Sequence, residues 1–239
     1  MTDAMRHISL TCDPASPPKI LCLGAHADDI EIGCGGTVLR LAEHYPGCIF
    51  YWIVFSADGV RAEEASRSAV SFTKSAKIKG PEIKAFQDGF MPYLGGTIKS
   101  AFEELKPISP DLIFTHNRDD AHQDHRLLAD LTWNTFRDHL ILEYEIPKYD
   151  GDLGRPNLFV PLEGPHAREK VRYIMESFAS QRQKRWFEPE TFFSIMRLRG
   201  MECNSPSGYA EAFYSRKLTL GFASPHEPKE KLGDLTVPT

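Results

Sequence analysis

The strongest constraint on the fold is a regular alternation of apolar runs and helix-forming segments over the first 146 residues. Short runs that are almost wholly apolar, such as "CIFYWIVFS", are typical of strands covered on both faces. Segments rich in helix formers, such as "DGVRAEEASRSAVSFTKSAK", lie between them. The resulting order, β-α-β-α-β-α-β-α-β, predicts a Rossmann-like α/β fold: a mostly parallel sheet with helices on both faces.

The pattern changes after Pro147. A stretch rich in Pro and Gly contains one short strand, and two helical segments follow it. The later segment "YAEAFYSRKLTL" is either a strand or a covering segment. We therefore predict a single domain in the 239 residues, with a Rossmann-like core over about 18–146, a smaller C-terminal cap over about 147–220 and a flexible tail over 221–239.

Composition excludes several classes of protein. The net charge of -5, from 28 basic and 33 acidic residues, lacks the basic excess of a nucleic-acid binder. The N-terminal residues contain no apolar signal-peptide core, and no run approaches the roughly 18 apolar residues of a membrane span. The five cysteines are widely spaced without a CxxC, which favours free thiols and a cytoplasmic location. The sequence leaves open whether the protein is a homo-oligomer.

Two polar clusters come directly after predicted strands. His26 and Asp29 are three residues apart in "GAHADDIEIGCGG", and His122 and His125 are three apart in "HQDH". Because the carboxyl ends of parallel strands meet at one edge of the sheet, we expect the clusters to lie close together. A hydrolytic zinc takes three His or carboxylate ligands and leaves one position for water. Residue types alone leave a metal site and a structural turn or helix cap both open.

The glycines of the first cluster do not match a nucleotide-binding loop. Gly33 begins the group Gly-Cys-Gly-Gly nine residues after Gly24, the last residue of the predicted strand, and a His and three acids intervene. A dinucleotide fingerprint needs G-x-G-x-x-G directly after the strand, and the Gly-Lys-Ser/Thr of a Walker loop is absent. We interpret these glycines as packing residues of a loop and of a helix that starts near Gly36.

At these residues the sequence resembles the PIG-L (LmbE-like) family of zinc-dependent N-acetylsugar deacetylases. That family carries Ala-His-Pro-Asp-Asp, an acid and a glycine pair, here "AHADDIEIGCGGT", and a second motif His-x-Asp-His, here "HQDH". Weaker similarities, such as "DGVRAEEA", "QDGF", Ser180-Gln181 and "YAEAF", extend over about residues 20–215. Two departures stand out. Ala27 replaces the motif Pro, and the acid is displaced to Glu31, which favours a structural role for Glu31.

The resemblance implies a role for each motif residue. His26, Asp29 and His125 would bind Zn²⁺ or another divalent metal. Asp28 would be the general base, and His122 would stabilise the oxyanion or protonate the leaving amine. Asp124 would orient an imidazole, most simply that of His26 or His122.

The resemblance also suggests substrate contacts. Arg61 and Asp88 match positions that the family uses around the substrate, and Asp120 occupies a position where some members have a Tyr. Glu211 in "YAEAF" would close the pocket. His116, Arg118 and Asp119 line the same loop as Asp120 and are further candidates, whereas Trp52 is interpreted as a core residue.

The activity implied is removal of the N-acetyl group from an N-acetylated amino sugar or sugar conjugate, a small-molecule substrate, by attack of metal-bound water. Two alternatives stay open: an amidase acting on a thiol conjugate or another small amide, and a non-catalytic sugar-binding protein on the same fold. The segment over 143–161 is expected to shape the pocket, and the sequence does not identify the sugar.

Overall fold

A computed structural model describes residues 8–10 and 16–221. Its strands form one seven-stranded sheet: β1 (Lys19–His26), β2 (Ile49–Ser56), β3 (Lys77–Ile83), β4 (Leu112–His116), β5 (Leu140–Tyr144), β6 (Leu158–Leu162) and β7 (Tyr209–Tyr214), in the spatial order β3-β2-β1-β4-β5-β7-β6. The first five strands are parallel, and β7 pairs antiparallel with both β5 and β6. The predicted mostly parallel α/β fold is confirmed. Apart from Gly221, the predicted tail lies outside the described residues.

Helices cover both faces of this sheet. They are α1 (Asp29–His44), α2 (Gly59–Phe72), α3 (Gly95–Leu105), α4 (Gln123–Thr135), α5 (Gly164–Ser177) and α6 (Pro189–Glu202), with short 3-10 helices at Met91–Leu94, Lys106–Ile108 and Ala179–Gln181. Among the described residues, no helix has the length and apolar character needed to cross a bilayer.

Alternate residues of the central strands feed two separate hydrophobic cores. In β1, Ile20 and Cys22 pack with α1, α2, α5 and α6 on one face, whereas Leu21 and Leu23 pack with α3 and α4 on the other. This follows from the two-residue period of a strand, and it explains why the strands are apolar on both sides. Trp52, on β2, is fully buried in the first core, as expected.

The C-terminal region extends the sheet. The residues assigned to a cap contribute β6 and β7, which lie beyond β5 in the same sheet. Helix α5 packs against α1 and α2, and α6 packs against β7. The segment between β5 and β6 runs out from the carboxyl end of β5, beside the ends of β1 and β4, so it borders the edge where the polar clusters lie.

Helix α1 begins earlier than its glycines suggested. It starts at Asp29, seven residues before the predicted start at Gly36, and therefore contains the glycine group. Glycine inside a helix is normally unfavourable. Here a Cβ on Gly33 would lie 2.2 Å from the Tyr144 ring, and one on Gly36 would lie 2.5 Å from Leu162. The glycines let α1 approach the sheet closely, so the prediction of a packing role was correct and the predicted boundary was wrong.

Candidate active site at the carboxyl edge of the sheet

The two polar clusters meet at the carboxyl edge of the sheet. His26 is the last residue of β1, Asp28 is the N-cap of α1, and Asp29 lies in the first turn of that helix. His122 is the N-cap of α4, and His125 lies one turn further along it. Since β1 and β4 are neighbouring parallel strands, the chain segments that follow them converge, as the sequence predicted.

Three donor atoms form a compact triangle, which we call the donor triad: His26 Nδ1, Asp29 Oδ2 and His125 Nε2. The distances are 3.2 Å between His26 and Asp29, 3.1 Å between the two imidazoles, and 3.5 Å between His125 and Asp29. All three residues are buried. Asp29 Oδ2 also accepts from the His26 backbone N–H at 2.6 Å, which fixes the carboxylate against the end of β1.

These separations fit a tetrahedral metal. Ligands bound at about 2.0–2.1 Å to a tetrahedral zinc lie roughly 3.3–3.4 Å apart, and the triad spans that value. Two imidazole nitrogens and one carboxylate oxygen are also a ligand set found in catalytic zinc sites. The residues therefore fit a divalent metal, and the fourth position is left to solvent or substrate.

The same pocket contains other combinations of donors. Ligand atoms of His26, His122 and His125 lie within 4.8 Å of one another, as do those of Asp29, His116 and His125. A fourth grouping combines His26 with Asp88, His122 and Asp124. His26 uses its Nε2 in that grouping, and this nitrogen carries the proton when Nδ1 binds a metal. Asp88 and Asp124 then act as acceptors for the Nε2–H, rather than as ligands.

Ionisation of the donor triad is set by its burial and its mutual charges. Burial alone raises the pKa of Asp29, but the imidazoles of His125, His116 and His26 around the carboxylate hold it well below its usual value. Burial and the charge of His116 lower the pKa of His125 to about 4. At neutral pH the Asp29 carboxylate is therefore ionised and the His125 ring is neutral, as metal binding requires. Burial lowers the pKa of His26, but the charge of Asp29 and hydrogen bonds to nearby carboxylates raise it well above its usual value, so a metal would have to displace a proton from His26.

His125 is oriented by Asp120. Its Nδ1 lies 3.0 Å from Asp120 Oδ2, which leaves Nε2 facing His26 and Asp29 as a member of the donor triad. The other oxygen of Asp120 accepts from the His122 backbone N–H at 2.7 Å. Asp120 is buried and was predicted to contact substrate. The structure instead gives its carboxylate internal partners, and the bond to His125 is one that commonly supports a metal-ligating His.

Asp124 faces His26 from the other side. Its Oδ2 lies 3.5 Å from His26 Nε2, and its carboxylate accepts from the backbone N–H of Gly89 at 2.7 Å and of Met91 at 3.1 Å. Asp88 Oδ1 lies 3.0 Å from the same imidazole nitrogen and is largely exposed. Of the two rings considered for Asp124, the geometry places its carboxylate against His26. Asp124 also anchors the loop that carries Asp88.

Asp28 is paired with Arg61. The Asp28 Oδ1 accepts from an Arg61 guanidinium nitrogen at 2.8 Å, and this carboxylate is buried while the Arg61 side chain is a quarter exposed. Burial raises the pKa of Asp28, and the Arg61 charge opposes that rise. The ion pair orients Asp28, whose second oxygen stays available at the pocket.

His122 presents one nitrogen to the pocket. Its Nδ1 accepts from the Asp124 backbone N–H at 3.3 Å, so the neutral ring carries its proton on Nε2. Its ring lies 4.8 Å from the His26 ring and 4.6 Å from the His125 ring, measured between centroids. Burial and the charge of His26 lower the pKa of His122, so the ring acts at neutral pH as an N–H donor without a charge.

His116 lies behind the donor triad. It is fully buried at the end of β4, where it stacks on the His125 ring at 3.9 Å between centroids. Its Nε2 accepts from the Ala25 backbone N–H at 2.9 Å and lies 3.2 Å from Asp29 Oδ2. The sequence made His116 a candidate for contact with substrate, but a fully buried side chain behind the donor triad cannot make that contact. His116 packs together the segments that carry His26, Asp29 and His125.

Other predicted residues lie outside the pocket or in its wall. Arg118 is paired with Asp130, and Asp119 is exposed near Arg216. Glu31 lies in the first turn of α1 and is fully buried, and burial raises the pKa of its carboxyl group well above the usual value. Among the described residues no hydrogen bond or ion pair joins Glu31 to the donor triad.

Glu211 was expected to close the pocket, and its contacts place it elsewhere. Its carboxylate accepts from the backbone N–H of Gly36 and of Thr37, from the Thr37 hydroxyl, and from Lys170 Nζ. The group is buried between α1, α5 and β7. Because every oxygen is already bonded inside the protein, the expected contact with substrate is replaced by a structural one.

Sequence reasoning missed Lys148. This residue follows β5, and its Nζ lies 3.1 Å from Asp120 Oδ1 and also bonds Asp152. Asp152 in turn accepts from the Ala121 backbone N–H at 2.6 Å. Lys148 thus ties the β5–β6 segment to the loop that positions His125. No motif or spacing marks this lysine, because it depends on a contact between distant segments.

The family can be read from this part of the chain. The family model described as GlcNAc-PI de-N-acetylase, PIG-L, matches residues 21–136, which include both motifs and the whole donor triad. Residues 21–136 belong to the PIG-L family. These matched residues run from β1 to the end of α4, and β5, α5, α6 and the antiparallel strands follow them.

Solved structures share the architecture beyond the matched region. An N,N'-diacetylchitobiose deacetylase from Pyrococcus horikoshii aligns with a TM-score of 0.66 at 20% identity, covering 83% of each chain. The 4-carboxy-2-hydroxymuconate hydratase of Pseudomonas putida aligns with a TM-score of 0.68 at 17% identity, covering 86% of this chain and all of that one. A teicoplanin deacetylase in a zinc-inhibited form aligns with a TM-score of 0.62 at 12% identity, covering 82% of this chain and 97% of that one. At these identities the likeness shows the PIG-L fold only.

Proposed function

We propose that this protein is a metal-dependent N-deacetylase that hydrolyses the acetamide of an N-acetylated amino sugar or sugar conjugate, with Zn²⁺ as the metal. The observation that carries the proposal is the donor triad, with the Asp28 carboxylate beside it and the His122 N–H at the same edge. This set contains a metal site, a base and a proton donor, which are the parts that amide hydrolysis needs. The PIG-L family and the deacetylases that share its fold support it.

The donor triad would hold the metal through His26, Asp29 and His125. A divalent metal bound there supplies Lewis acidity: it polarises an amide carbonyl and makes a water molecule a stronger acid. Asp120 and Asp124 are placed to hold the two imidazoles in the orientation that binding requires.

Asp28 is the base in this proposal. Its free Oδ2 takes the proton of the attacking water, while Oδ1 stays bonded to Arg61. Arg61 keeps the carboxylate in one rotamer and stops it from swinging into the donor triad as an extra ligand. Arg61 and Asp88 remain our candidates for contacts with the sugar hydroxyls, because both are partly exposed at this edge.

His122 donates from Nε2. Because its Nδ1 is already bonded to the Asp124 backbone N–H, the Nε2–H points away from α4. A donor at this place stabilises negative charge on the carbonyl oxygen, and the proton that Asp28 takes from water passes to the leaving amine. The products are the free amine and acetate.

The test combines two variants with a substrate panel. We expect His125→Ala to lose bound zinc, and Asp28→Asn to keep it; both lower the rate of amine release at least about a hundredfold. The matched control is Asp130→Asn, an exposed substitution on α4, which should keep both its bound zinc and its rate of amine release. Amine release is measured with fluorescamine on N-acetyl amino sugars and on thiol conjugates, which separates a sugar deacetylase from a thiol-conjugate amidase.

Three results would contradict the proposal. The first is unchanged metal content in His125→Ala. The second is an Asp28→Asn variant with full activity, which favours a binding protein without catalysis. The third comes from a separate arm of the panel: because a hydratase shares this fold, hydration of an unsaturated hydroxy acid without any amine release would assign different chemistry to the same residues.

A further inference from the structure

We infer that the substrate carries an apolar group next to the amino sugar, and that an exposed apolar rim around the donor triad binds this group. The inference rests on the proposed function and adds to it the chemical class of the substrate. We define the apolar rim as six exposed side chains on three segments at the carboxyl edge: Val60, Phe90, Tyr93, Leu94, Tyr149 and Leu153.

The first argument is where exposed apolar side chains lie. Twelve large apolar side chains of the described residues are exposed, and the six of the apolar rim are half of them. All six follow the carboxyl ends of β2, β3 or β5; β2 borders β1, β5 borders β4, and β3 lies beyond β2 at the edge of the sheet. Exposed apolar groups that concentrate at one place on a protein surface mark a binding site more often than scattered ones do.

The second argument is that hydrogen bonds and ion pairs hold the segments of the apolar rim next to the candidate active site. Val60 precedes Arg61, which bonds Asp28. Tyr149 follows Lys148, which contacts Asp120. Each of these apolar residues is therefore held next to a residue that shapes the pocket.

Hydrogen bonds hold the segment after β3 in the same way. Phe90 lies between Gly89 and Met91, whose backbone N–H groups both bond Asp124, and Gln123 donates to the Gly89 carbonyl. The Phe90 and Tyr93 rings lie 6.0 Å apart between centroids. The Tyr93 side chain is nevertheless 82% exposed and Tyr149 is 74% exposed, which is unusual for aromatic residues held by such contacts.

The third argument concerns the occupant. A lipid bilayer would also suit exposed aromatic residues, but carboxylates lie among them: Asp88 is 62% exposed two residues from Phe90, and Asp119 on the neighbouring loop is 82% exposed. The chain as a whole is acidic. This charge disfavours an anionic membrane surface. An alkyl or aryl aglycone fits better, because it covers the apolar rim while the sugar reaches the donor triad.

The experiment compares three glycosides of N-acetylglucosamine that carry a methyl, an octyl or a phenyl aglycone. With the wild-type protein we expect KM for the octyl and phenyl glycosides to be about tenfold lower than for the methyl glycoside, with similar kcat. The double variant Tyr93→Ser/Tyr149→Ser loses this preference and keeps the methyl rate. The control is Leu198→Ser/Met201→Ser, two exposed apolar residues on α6, which changes nothing.

A binding measurement keeps this inference separate from the proposed activity. Octyl β-glucoside, which has no acetamide, is titrated below its micelle concentration and followed by calorimetry. We expect saturable binding to the wild type and at least about tenfold weaker binding to the double variant. Absence of binding, or equal KM for all three glycosides, overturns the inference. So does tight binding of the wild type to phosphatidylcholine vesicles that the double variant loses, since a membrane would then be the occupant.

Discussion

Glu211 offers the sharpest test of the structural interpretation, because the sequence suggested a substrate contact and the structure gives a buried ion pair. Its carboxylate lies 2.6 Å from Lys170 Nζ, 2.8 Å from the Gly36 N–H and 2.6 Å from the Thr37 N–H. Glu211→Ala leaves the Lys170 charge buried without its counter-charge, with the Ile32 carbonyl as its remaining acceptor, and removes the carboxylate that both backbone N–H groups contact. Breaking one partner of a buried pair costs about 3–5 kcal/mol.

That cost is large enough to measure as a melting shift. For a domain of this size, 1 kcal/mol lowers Tm by roughly 2–4 °C, so Glu211→Ala should melt about 6–20 °C below the wild type. Urea unfolding followed by tryptophan fluorescence gives the free energy directly. The matched control is Glu176→Ala, which removes an exposed partner of Arg172 and should leave the free energy of unfolding unchanged.

A double variant tests the pairing itself. Lys170→Met/Glu211→Met removes both charges, so it should be less destabilised than the sum of its single variants. The reasoning is refuted if Glu211→Ala unfolds within about 1 kcal/mol of the wild type. It is also refuted if this variant keeps its stability and instead shows a raised KM, since Glu211 would then contact substrate.

Three further predictions address the donor triad and the helix beside it. Asp120→Asn should weaken zinc affinity by about 10–100-fold, because it removes the carboxylate that holds His125, whereas Asp130→Asn should not; competition with a chromophoric chelator measures both. Gly33→Ala places a Cβ 2.2 Å from the Tyr144 ring and should destabilise the protein by roughly 1–3 kcal/mol in urea unfolding. Gly96→Ala, which has open space in α3, should be neutral or stabilising. Removal of the metal by a chelator should lower Tm, and zinc at about 1,000 times its Kd should restore roughly 4 kcal/mol; a Tm insensitive to both would exclude the donor triad as a metal site.

The order of strands and helices was predictable because each element carries its own periodic pattern. Parallel strands such as β2 are apolar throughout, and the helices between them are rich in good helix formers. The start of α1 was not predictable from such a pattern. Helix propensity places the start near Gly36, and close packing against Tyr144 and Leu162 overrides that propensity.

The location of the motif residues at one edge of the sheet was also predictable from the sequence, whereas the partners that orient their side chains were not. His26, Asp29 and His125 lie within a few residues of strand ends, so chain order alone brings them to one edge. Assigning Asp120 to His125 and Asp124 to His26 requires knowing how α4 is rotated and how the loop before it is folded. Two acids four residues apart look equivalent in sequence, but Asp120 lies in the loop and Asp124 in the first turn of the helix.

The division between matched and unmatched residues suggests how chemistry and specificity are distributed in this protein. The donor triad, Asp28 and His122 all lie within residues 21–136, which match the family model. Tyr149, Leu153 and Lys148 lie outside it, on the β5–β6 segment. Lys148 joins the two regions through Asp120, so a change in this segment also reaches the orientation of His125. Substitutions at Tyr149 should therefore alter substrate preference alone, while substitutions at Lys148 should alter metal affinity as well.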